Sequence, residues 1–513
     1  MQQQNSGRAG FVRWVVIIGF LLALSGVGLA NDILTAQTLD TFYTELPDVA
    51  ACEPGVLAAA EKEAALAEVN RIRRLHNLQP VPYDTTADAA MMQASLIIAA
   101  NQRLTHNPPV SSRCYSAVGA QGAASSNIAI TTRSDVGAAP LLSPSAYDIR
   151  SWLIDPDVPA LGHRRWLLDP FLPSTAYGRV DAVDTDGESD ELVHGAAQKV
   201  IYDNPARLPA TTPAFVAYPY EDYPLDLFQI GWYWSFSVVA DRRNAQANRD
   251  INFRNATVQV QGPTGPQRVH DLSFNNEAAG LANILQWQVD GIALDKTYQV
   301  SITNVVVSGQ AQAYTYTVRL QEPDLSGLAM PVYRLRTFTE TIGIESGETF
   351  ALYIPPGHEL PNRYWTSRAA TQVQLAEHSP YVTLIRIIGS LGDRVQFRFG
   401  TDTVTLRIVE SEAPGSDPLA TLRQELEMPV YRVTGRGERV TVPLGERFAL
   451  YLPPTVTGNE IPRIRWTQPQ GTQLQLRFYN DQVLIGIVTA GEPGAVATVR
   501  FGTNQVFTVA VGE

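Results

Sequence analysis

The sequence predicts a multidomain chain in which one α+β domain precedes three all-β domains of the sandwich type. Three observations lead to this prediction. Apolar residues recur at helical spacing only between about residues 55 and 168. From about residue 212 onward, short segments of alternating apolar and polar residues are separated by glycine, proline and asparagine. A segment of about 100 residues then occurs twice near the C-terminus.

The composition of the 513-residue chain limits the classes of function it can have. Hydrophobic residues make up 45% and charged residues 18% of the sequence, which excludes a disordered chain. The formal net charge of −12 opposes general binding to nucleic acid, so we expect no nucleic-acid partner. One apolar run has the length of a membrane span, and it lies at the N-terminus.

Residues 1–30 have the features of a secretory signal peptide. Arg8 and Arg13 precede an apolar run from Trp14 to Ala30, which ends in small residues. An uncleaved anchor is the alternative, because about 17 apolar residues is the lower limit for crossing a bilayer. We therefore expect a secreted protein without a membrane span after cleavage, with attachment at the cell surface left open. Residues 31–54 are predicted to be an N-terminal linker.

The two cysteines, Cys52 and Cys114, are predicted to form a disulfide. Export would place both in an oxidising compartment, where disulfides persist. Two free buried thiols are the alternative. The bridge would close a loop of about 60 residues and would stabilise the fold by roughly 4 kcal/mol in the chain-entropy model.

Residues 55–205 are predicted to form the α+β domain. Two helical faces repeat at spacings of three and four residues, over residues 66–75 and 87–98. A third, shorter helix is expected at Ser145–Leu153. The small residues from Gly119 to Ser126 predict a loop between the second and third helices.

Residues 206–322 are predicted to form a sandwich of the immunoglobulin or fibronectin type. The prediction depends on strand-length segments with period-two alternation, bounded by turn residues. These segments are Trp232–Val238, Ala256–Gln261, Tyr298–Thr303 and Tyr314–Val318.

The rest of the chain contains an internal repeat. Met330–Arg334 recurs as Met428–Arg432, at an offset of 98 residues. A period of that length fits a duplicated domain and is too long for a solenoid unit. We therefore expect two related β modules, repeat 1 at residues 323–412 and repeat 2 at residues 413–513.

Six short motifs follow one another in the first third of the chain. They are Glu68–Val81, Leu104–His106, Ser126–Ala129, Trp152 with Asp155, Gly162–Pro170 and Tyr177–Val180. Their order and spacing resemble those of the CAP superfamily, in the bacterial form of its SCP-like extracellular domain. That superfamily includes cysteine-rich secretory, antigen 5 and pathogenesis-related proteins. The resemblance implies an α-β-α sandwich with a central cleft, lined by two histidines and two acidic residues.

The resemblance places His106 and His163 in this cleft, with Asp155, Ser126 and Asn127 beside them. Two neutral imidazoles can bind a divalent metal such as zinc, so the two histidines are the candidate metal ligands. Ser126 stands where the family has its first glutamate, and Asp155 is shorter than the second. A polar cleft without stoichiometric metal is therefore the alternative.

Three functions are compatible with these residues. The first is a non-enzymatic extracellular protein whose cleft binds a lipid or a peptide, while the β modules contact a surface protein or a polysaccharide. The second is a metal-assisted or histidine-dependent hydrolase, for example with Ser126 beside a histidine that Asp155 orients. The third is an adhesin-like structural protein of the cell surface. The sequence has no Gly-x-Ser-x-Gly or His-Glu-x-x-His motif, so no catalytic residue is predicted.

Overall fold

The structure, a computed structural model, describes residues 39–134, 140–184, 191–409 and 426–511, with shorter gaps inside the last two ranges. Those gaps are residues 278, 324, 326–327, 329, 336–337, 362, 427, 434–438, 443, 446, 452–463, 469, 481–482 and 502–504. The predicted signal peptide lies outside the described residues. In the part of the chain that is described, no helix is both long and apolar enough to cross a bilayer.

The N-terminal region, residues 39–199, contains every α-helix that the structure gives bounds for. The helical spacing over residues 66–75 and 87–98 and at Ser145–Leu153 correctly predicts three of these helices. In chain order the elements are α1 (Leu39–Phe42), β1 (Tyr43–Glu45), β2 (Val56–Leu57), α2 (Ala59–Leu75), α3 (Asp88–Asn101), α4 (Ala117–Ala124), β3 (Ser126–Ser134), α5 (Ser145–Ile154), α6 (Gly162–Leu167), β4 (Tyr177–Asp184) and β5 (Glu191–Lys199). A 3-10 turn at Thr85–Ala87 leads into α3.

An antiparallel sheet in the order β3-β5-β4 lies between two layers of helices. Successive residues of a strand point to opposite faces of the sheet. On β5, Gly195 therefore lies against Ser95 of α3, while His194 contacts Asp148 of α5. Helix α4 packs on α3, and α2 packs on α5. The predicted α-β-α sandwich is confirmed.

The loop predicted at Gly119–Ser126 is wrong, because α4 occupies most of it. The Ser116 hydroxyl caps this helix by accepting a hydrogen bond from the Gly119 backbone N–H at 3.0 Å. A Cβ atom at Gly122 would lie 2.3 Å from the carbonyl oxygen of Ala90 on α3. The glycines thus allow two helices to pack closely, and that packing compensates for their poor helix propensity.

Gly178 on β4 allows the same close approach between the sheet and α3. A Cβ atom there would lie 2.3 Å from the carbonyl carbon of Met91. We expect Gly178→Ala to lower the free energy of unfolding by about 1–3 kcal/mol, because backbone would have to move. Gly162→Ala is the control, since its Cβ would meet nothing within 4 Å. Urea denaturation of both variants is the measurement, and equal stabilities would contradict the predicted clash.

Cys52 and Cys114 form the predicted disulfide, with a sulfur–sulfur distance of 2.03 Å. The bridge joins the segment between β1 and β2 to the segment between α3 and α4. It closes a loop with a sequence separation of 62 residues. The bridge therefore ties the segment that contains His106 to the N-terminal part of the domain.

Residues 215–321 form two packed sheets, in the orders β10-β9-β13-β14-β7 and β11-β12-β8-β6. We call this part the first sandwich. Trp234, Phe236 and Trp287 fill its core. Its strands are β6 (Phe215–Tyr218), β7 (Glu221–Pro224), β8 (Trp234–Val238), β9 (Thr257–Gly262), β10 (Gly265–Pro266), β11 (Val269–Asn275), β12 (Ile284–Val289), β13 (Thr297–Val307) and β14 (Gln310–Gln321), with 3-10 turns at Leu225–Leu227 and Ala245–Asp250.

The two repeats have the same topology, as the duplication predicts. Repeat 1 has sheets in the orders β15-β17-β20-β19 and β16-β22-β21-β18, and the orders in repeat 2 are identical after adding eight to each strand number. The strands of repeat 1 are β15 (Val332–Arg334), β16 (Thr341–Glu345), β17 (Thr349–Tyr353), β18 (Tyr364–Thr366), β19 (Gln372–Ser379), β20 (Val382–Ile388), β21 (Arg394–Phe399) and β22 (Asp402–Val409). Those of repeat 2 are β23 (Val430–Arg432), β24 (Arg439–Val442), β25 (Arg447–Tyr451), β26 (Ile464–Thr467), β27 (Gln473–Asn480), β28 (Val483–Ala490), β29 (Val496–Phe501) and β30 (Gln505–Val511).

One apolar core runs from the N-terminal region through the first sandwich and into the β15-β17-β20-β19 sheet of repeat 1. The other sheet of repeat 1 contributes to a second core, and repeat 2 has clusters of its own. The continuous core means that repeat 1 is packed onto the parts of the chain before it. The domain boundaries at residues 205/206 and 322/323 stay predictions.

Candidate functional site

The five predicted cleft residues come from the ends of neighbouring elements. His106 follows α3, Ser126 and Asn127 begin β3, Asp155 ends α5, and His163 lies in the first turn of α6. Element ends carry free backbone groups, and these groups supply many of the hydrogen bonds that hold the five side chains.

Asp155 and His163 form a hydrogen-bonded pair. His163 Nδ1 lies 2.7 Å from Asp155 Oδ1, and the His163 backbone N–H donates to Asp155 Oδ2 at 3.0 Å. Asp155 is buried and has a left-handed backbone conformation (φ 58°), which ends α5 and turns the carboxylate towards α6. Since a carboxylate only accepts, Nδ1 carries the proton and Nε2 of the neutral ring has a free lone pair. The His163 side chain is 21% exposed.

Ser126 and Asn127 are buried and bonded to the surrounding protein. The Ser126 hydroxyl donates to the carbonyl oxygen of Gly122 and lies 3.3 Å from Sδ of Met91. Asn127 Nδ2 donates to the carbonyl oxygen of His163 at 3.3 Å. Ser126 is therefore hydrogen-bonded to backbone, and these contacts do not form the Ser–His arrangement of the hydrolase hypothesis.

His106 is exposed and is oriented from one side. Its Nδ1 donates to the carbonyl oxygen of Ala123 at 2.8 Å, so its Nε2 also has a free lone pair when the ring is neutral. Ala123 is next to Gly122, which accepts from Ser126, and Asn127 reaches His163. The structure thus connects the two histidines through the end of α4 and the start of β3.

The residues fit a tight zinc site poorly. Tight sites usually have three or four protein ligands, and their histidines are oriented by outer hydrogen bonds. Both rings have such an orienting bond, at Nδ1. Among the described residues, however, no group of three or more His, Cys, Asp or Glu side chains could hold a metal ion. We therefore derive no chemistry through zinc at His106 and His163.

Comparison with known families identifies the N-terminal region. Residues 66–189 match the model of CAP, the cysteine-rich secretory protein family. The chain carries a CAP domain. The matched segment contains all five cleft residues. It begins within α2 and ends two residues before β5. A CAP domain of this kind indicates an extracellular type of protein.

Comparison with individual proteins adds little to the family match. No curated protein matches the chain. Similar solved structures include SGBP-B of the Bacteroides ovatus mixed-linkage glucan utilization locus, in complex with a mixed-linkage heptasaccharide (12% identity, 58% of this chain and 71% of that chain, TM-score 0.16). Another is SporoSAG from Toxoplasma gondii (12% identity, 35% of this chain and 99% of that chain, TM-score 0.12). A third is the insect immune protein hemolin (12% identity, 66% of this chain and 91% of that chain, TM-score 0.14). Scores this low support no argument about fold or function.

A buried ionic cluster in the CAP domain was missed by sequence reasoning. His194 on β5 contacts Asp181 of β4 through Nδ1 at 2.9 Å and Asp148 of α5 through Nε2 at 3.1 Å. Asp181 also accepts two hydrogen bonds from Arg179, at 2.6 and 3.0 Å, and one from the Tyr43 hydroxyl at 2.6 Å. Alternation along β4 places Arg179 and Asp181 on one face, but the pairing with His194 depends on strand register.

The cluster shifts the pKa of its histidine. Burial alone would lower the pKa of His194, but the carboxylates of Asp148 and Asp181 outweigh burial and the nearby Arg179, and raise it to about 9. The pKa of Asp181 is held below its usual range, because Arg179 and His194 outweigh the effect of burial. His194 is therefore a cation at neutral pH, between two carboxylates.

We expect the CAP domain to lose stability at alkaline pH. A pKa raised from 6.5 to about 9 on folding means that the stabilisation from His194 is complete below about pH 6.5 and is lost as pH rises through 9. The loss is about 3 kcal/mol, at about 1.4 kcal/mol per pH unit. Urea denaturation from pH 6.5 to 10 measures it. His194→Gln should remove this dependence, and His270→Gln, at a half-buried histidine of the first sandwich, should keep it. Equal profiles for His194→Gln and the unmodified protein would contradict the assignment.

A second buried network joins the CAP domain to the β-rich part of the chain. Arg150 on α5 pairs with Glu68 of α2 at 2.9 Å and donates to the backbone carbonyl of His378 on β19 at 2.9 Å. Arg71 bridges Glu68 and Asp226, at 2.7 Å each. Burial and the adjacent Arg150 lower the pKa of His378 to about 3, so this histidine is neutral. These residues fix the position of repeat 1 against α5.

Proposed function

We propose that this protein is exported and that its CAP domain binds an extracellular ligand or partner without converting it chemically. The β modules would extend the contact surface towards a surface protein or a polysaccharide. The observation that carries the proposal is the state of the cleft side chains. Ser126, Asn127 and Asp155 are buried and bonded within the fold, which leaves the two histidines as the candidate side chains with exposed surface.

Two histidine nitrogens without a protein partner suit recognition of a hydrogen-bond donor. Nε2 of His163 and Nε2 of His106 each have a free lone pair when the ring is neutral, and neither ring is fully buried. Leu104, Val110 and Val118 lie close to His106 in the sequence and are 47%, 79% and 50% exposed. Exposed apolar side chains in the segment that carries His106 favour a ligand with both apolar and polar parts, such as a lipid or a peptide.

The disulfide supports the export part of the proposal. Bridges such as Cys52–Cys114 form and persist in oxidising compartments and are rare in the cytosol. A CAP domain points to the same location. The predicted signal peptide at residues 1–30 would direct the chain there.

Binding of defined probes tests this function. The probes are vesicles of phosphatidylcholine and phosphatidylserine, in co-sedimentation, and a phage-displayed library of random peptides. We expect one class to bind, and the double variant His106→Ala, His163→Ala to weaken that binding by about tenfold. His270→Ala, a histidine of the first sandwich, is the control. The proposal would be contradicted if neither class of probe bound, or if the double variant bound as the unmodified protein does.

A histidine-dependent hydrolase is the second candidate, and one observation favours it. The Asp155 carboxylate orients His163 through Nδ1, as a catalytic base is oriented in hydrolases, and leaves Nε2 free to accept a proton. A base alone is insufficient, because acyl transfer also needs a nucleophile and donors for the oxyanion. Turnover that depends on both Asp155 and His163 would identify this candidate.

A further inference from the structure

A cavity of about 780 Å³ lies where helix α5 of the CAP domain meets the first sandwich and repeat 1. Tyr147 and Arg150 line it from α5, Ile230 from the first sandwich, and Glu377 and Tyr381 from repeat 1. None of the described residues that line it belongs to the five cleft candidates. Cavities of this size at domain interfaces are the usual place for small ligands.

Hydrogen bonds across the domain interface hold the cavity walls in place. Ser143, before α5, donates through its hydroxyl to Glu377 Oε2 at 3.0 Å and accepts from the Glu377 backbone N–H at 3.1 Å. The Ile230 backbone N–H donates to the Tyr381 hydroxyl at 2.9 Å. Arg150 binds the carbonyl oxygen of His378. Because three parts of the chain are joined in this way, the cavity is preformed and a ligand would not have to assemble it.

The cavity wall carries both donors and acceptors. The Tyr381 hydroxyl accepts from the Ile230 backbone N–H and still has its own proton to donate. The carboxylates of Glu359 and Glu377 accept, and the side-chain amide of Gln229 can do both. A ligand whose groups both donate and accept therefore suits this wall.

The charged groups of the lining disfavour several classes of ligand. Arg150, Glu359 and Glu377 disfavour a ligand that is only a hydrocarbon chain. The two glutamates disfavour an anion, and the guanidinium of Arg150 disfavours a cation.

An extended peptide would need free backbone groups on the edge strand β19. Those of Leu375, Glu377 and His378 are already bonded to side chains of the CAP domain, namely Arg133, Ser143 and Arg150.

We propose that this cavity binds a neutral polyhydroxylated ligand, of the oligosaccharide class, between the CAP domain and repeat 1. Sugar hydroxyls both donate and accept, which matches the Tyr381 hydroxyl, the Gln229 amide and the Glu377 carboxylate. The rings of Tyr147 and Tyr381 supply apolar area for the carbon–hydrogen faces of a sugar, and their hydroxyls supply polar edges. The bound ligand would touch both α5 and β19.

Calorimetric titration of the full chain with neutral hexasaccharides tests this site. The probes are hexamers of β-1,4-glucose, α-1,4-glucose, xylose, mannose and N-acetylglucosamine. We expect at least one to bind at millimolar concentration or below. Tyr147→Ala should weaken binding by about tenfold, and Gln229→Ala by about fivefold through loss of one hydrogen bond. Tyr364→Ala, an exposed tyrosine of repeat 1 outside the cavity, should bind as the unmodified protein does.

Two results would overturn the proposal. One is that no neutral hexasaccharide binds, whether or not hexamers of a uronic acid, peptides or vesicles do. The other is that a hexasaccharide binds and both Tyr147→Ala and Gln229→Ala leave its affinity unchanged, which would place the sugar site elsewhere. Gln229 is only half-buried, so Gln229→Ala should fold and keep the test valid if Tyr147→Ala is unstable.

Discussion

Replacing Arg179 by methionine is expected to lower the free energy of unfolding by about 3–5 kcal/mol. The Arg179 and Asp181 side chains are 2% and 0% exposed and form a two-bond pair. Removing the guanidinium leaves the Asp181 carboxylate in the interior, with Tyr43 and His194 as its remaining partners. Breaking a buried pair by removing one partner costs far more than the net contribution of the intact pair. Urea denaturation at pH 7 measures the loss.

Arg319→Met is the matched control for this prediction. Arg319 and Asp222 of the first sandwich also form a two-bond pair, at 2.8 and 2.6 Å, but their side chains are 42% and 58% exposed. Exposed pairs contribute about 0–1 kcal/mol, so this variant should unfold almost as the unmodified protein does. Similar losses in the two variants would contradict the role assigned to burial.

Removing the disulfide should cost roughly 4 kcal/mol, because the cross-link between Cys52 and Cys114 restricts a loop of about 60 residues in the unfolded chain. The double variant Cys52→Ala, Cys114→Ala is compared with the unmodified protein by urea denaturation, with and without a thiol reductant. Reductant should destabilise the unmodified protein to about the level of the variant and leave the variant unchanged. An unmodified protein that is insensitive to complete reduction would contradict the prediction.

The spacing of apolar residues correctly predicted those helices and strands that bury one face along their length. The three-residue spacing over residues 66–75 correctly placed Val69 and Ile72 in the core on α2. Period-two alternation correctly identified β8, β9, β13 and β14. The duplicated motifs predicted two related modules, because equal sequences at an offset of 98 residues adopt the same register, as in Val332 with Ala351 and Val430 with Ala449.

Other features depend on contacts between distant segments and leave no local pattern. Helix α4 contains Gly119 and Gly122, which disfavour a helix until α3 packs against it. His194 lies in the middle of a strand whose neighbouring residues, Leu192–Val193 and Gly195–Ala197, are apolar, and its carboxylate partners come from other elements.

Within the predicted cleft, the resemblance placed Asp155 close to His163, and the structure places them in direct contact. The resemblance did not indicate that Ser126 is bonded to backbone, since that bond depends on where α4 ends. The cavity beside α5 is built from segments more than 200 residues apart, so no motif could have indicated it.

Turnover by the cleft is the most direct test of the proposal that the CAP domain binds without catalysis. The purified protein is incubated with panels of ester, peptide and glycoside substrates, beside His163→Ala and Asp155→Asn. We predict that the unmodified protein shows no turnover above that of the two variants, because Ser126 is bonded to Gly122 and, among the described residues, no hydroxyl is hydrogen-bonded to Nε2 of His163. Turnover that both variants abolish, while His270→Ala retains it, would contradict the account and establish an enzyme.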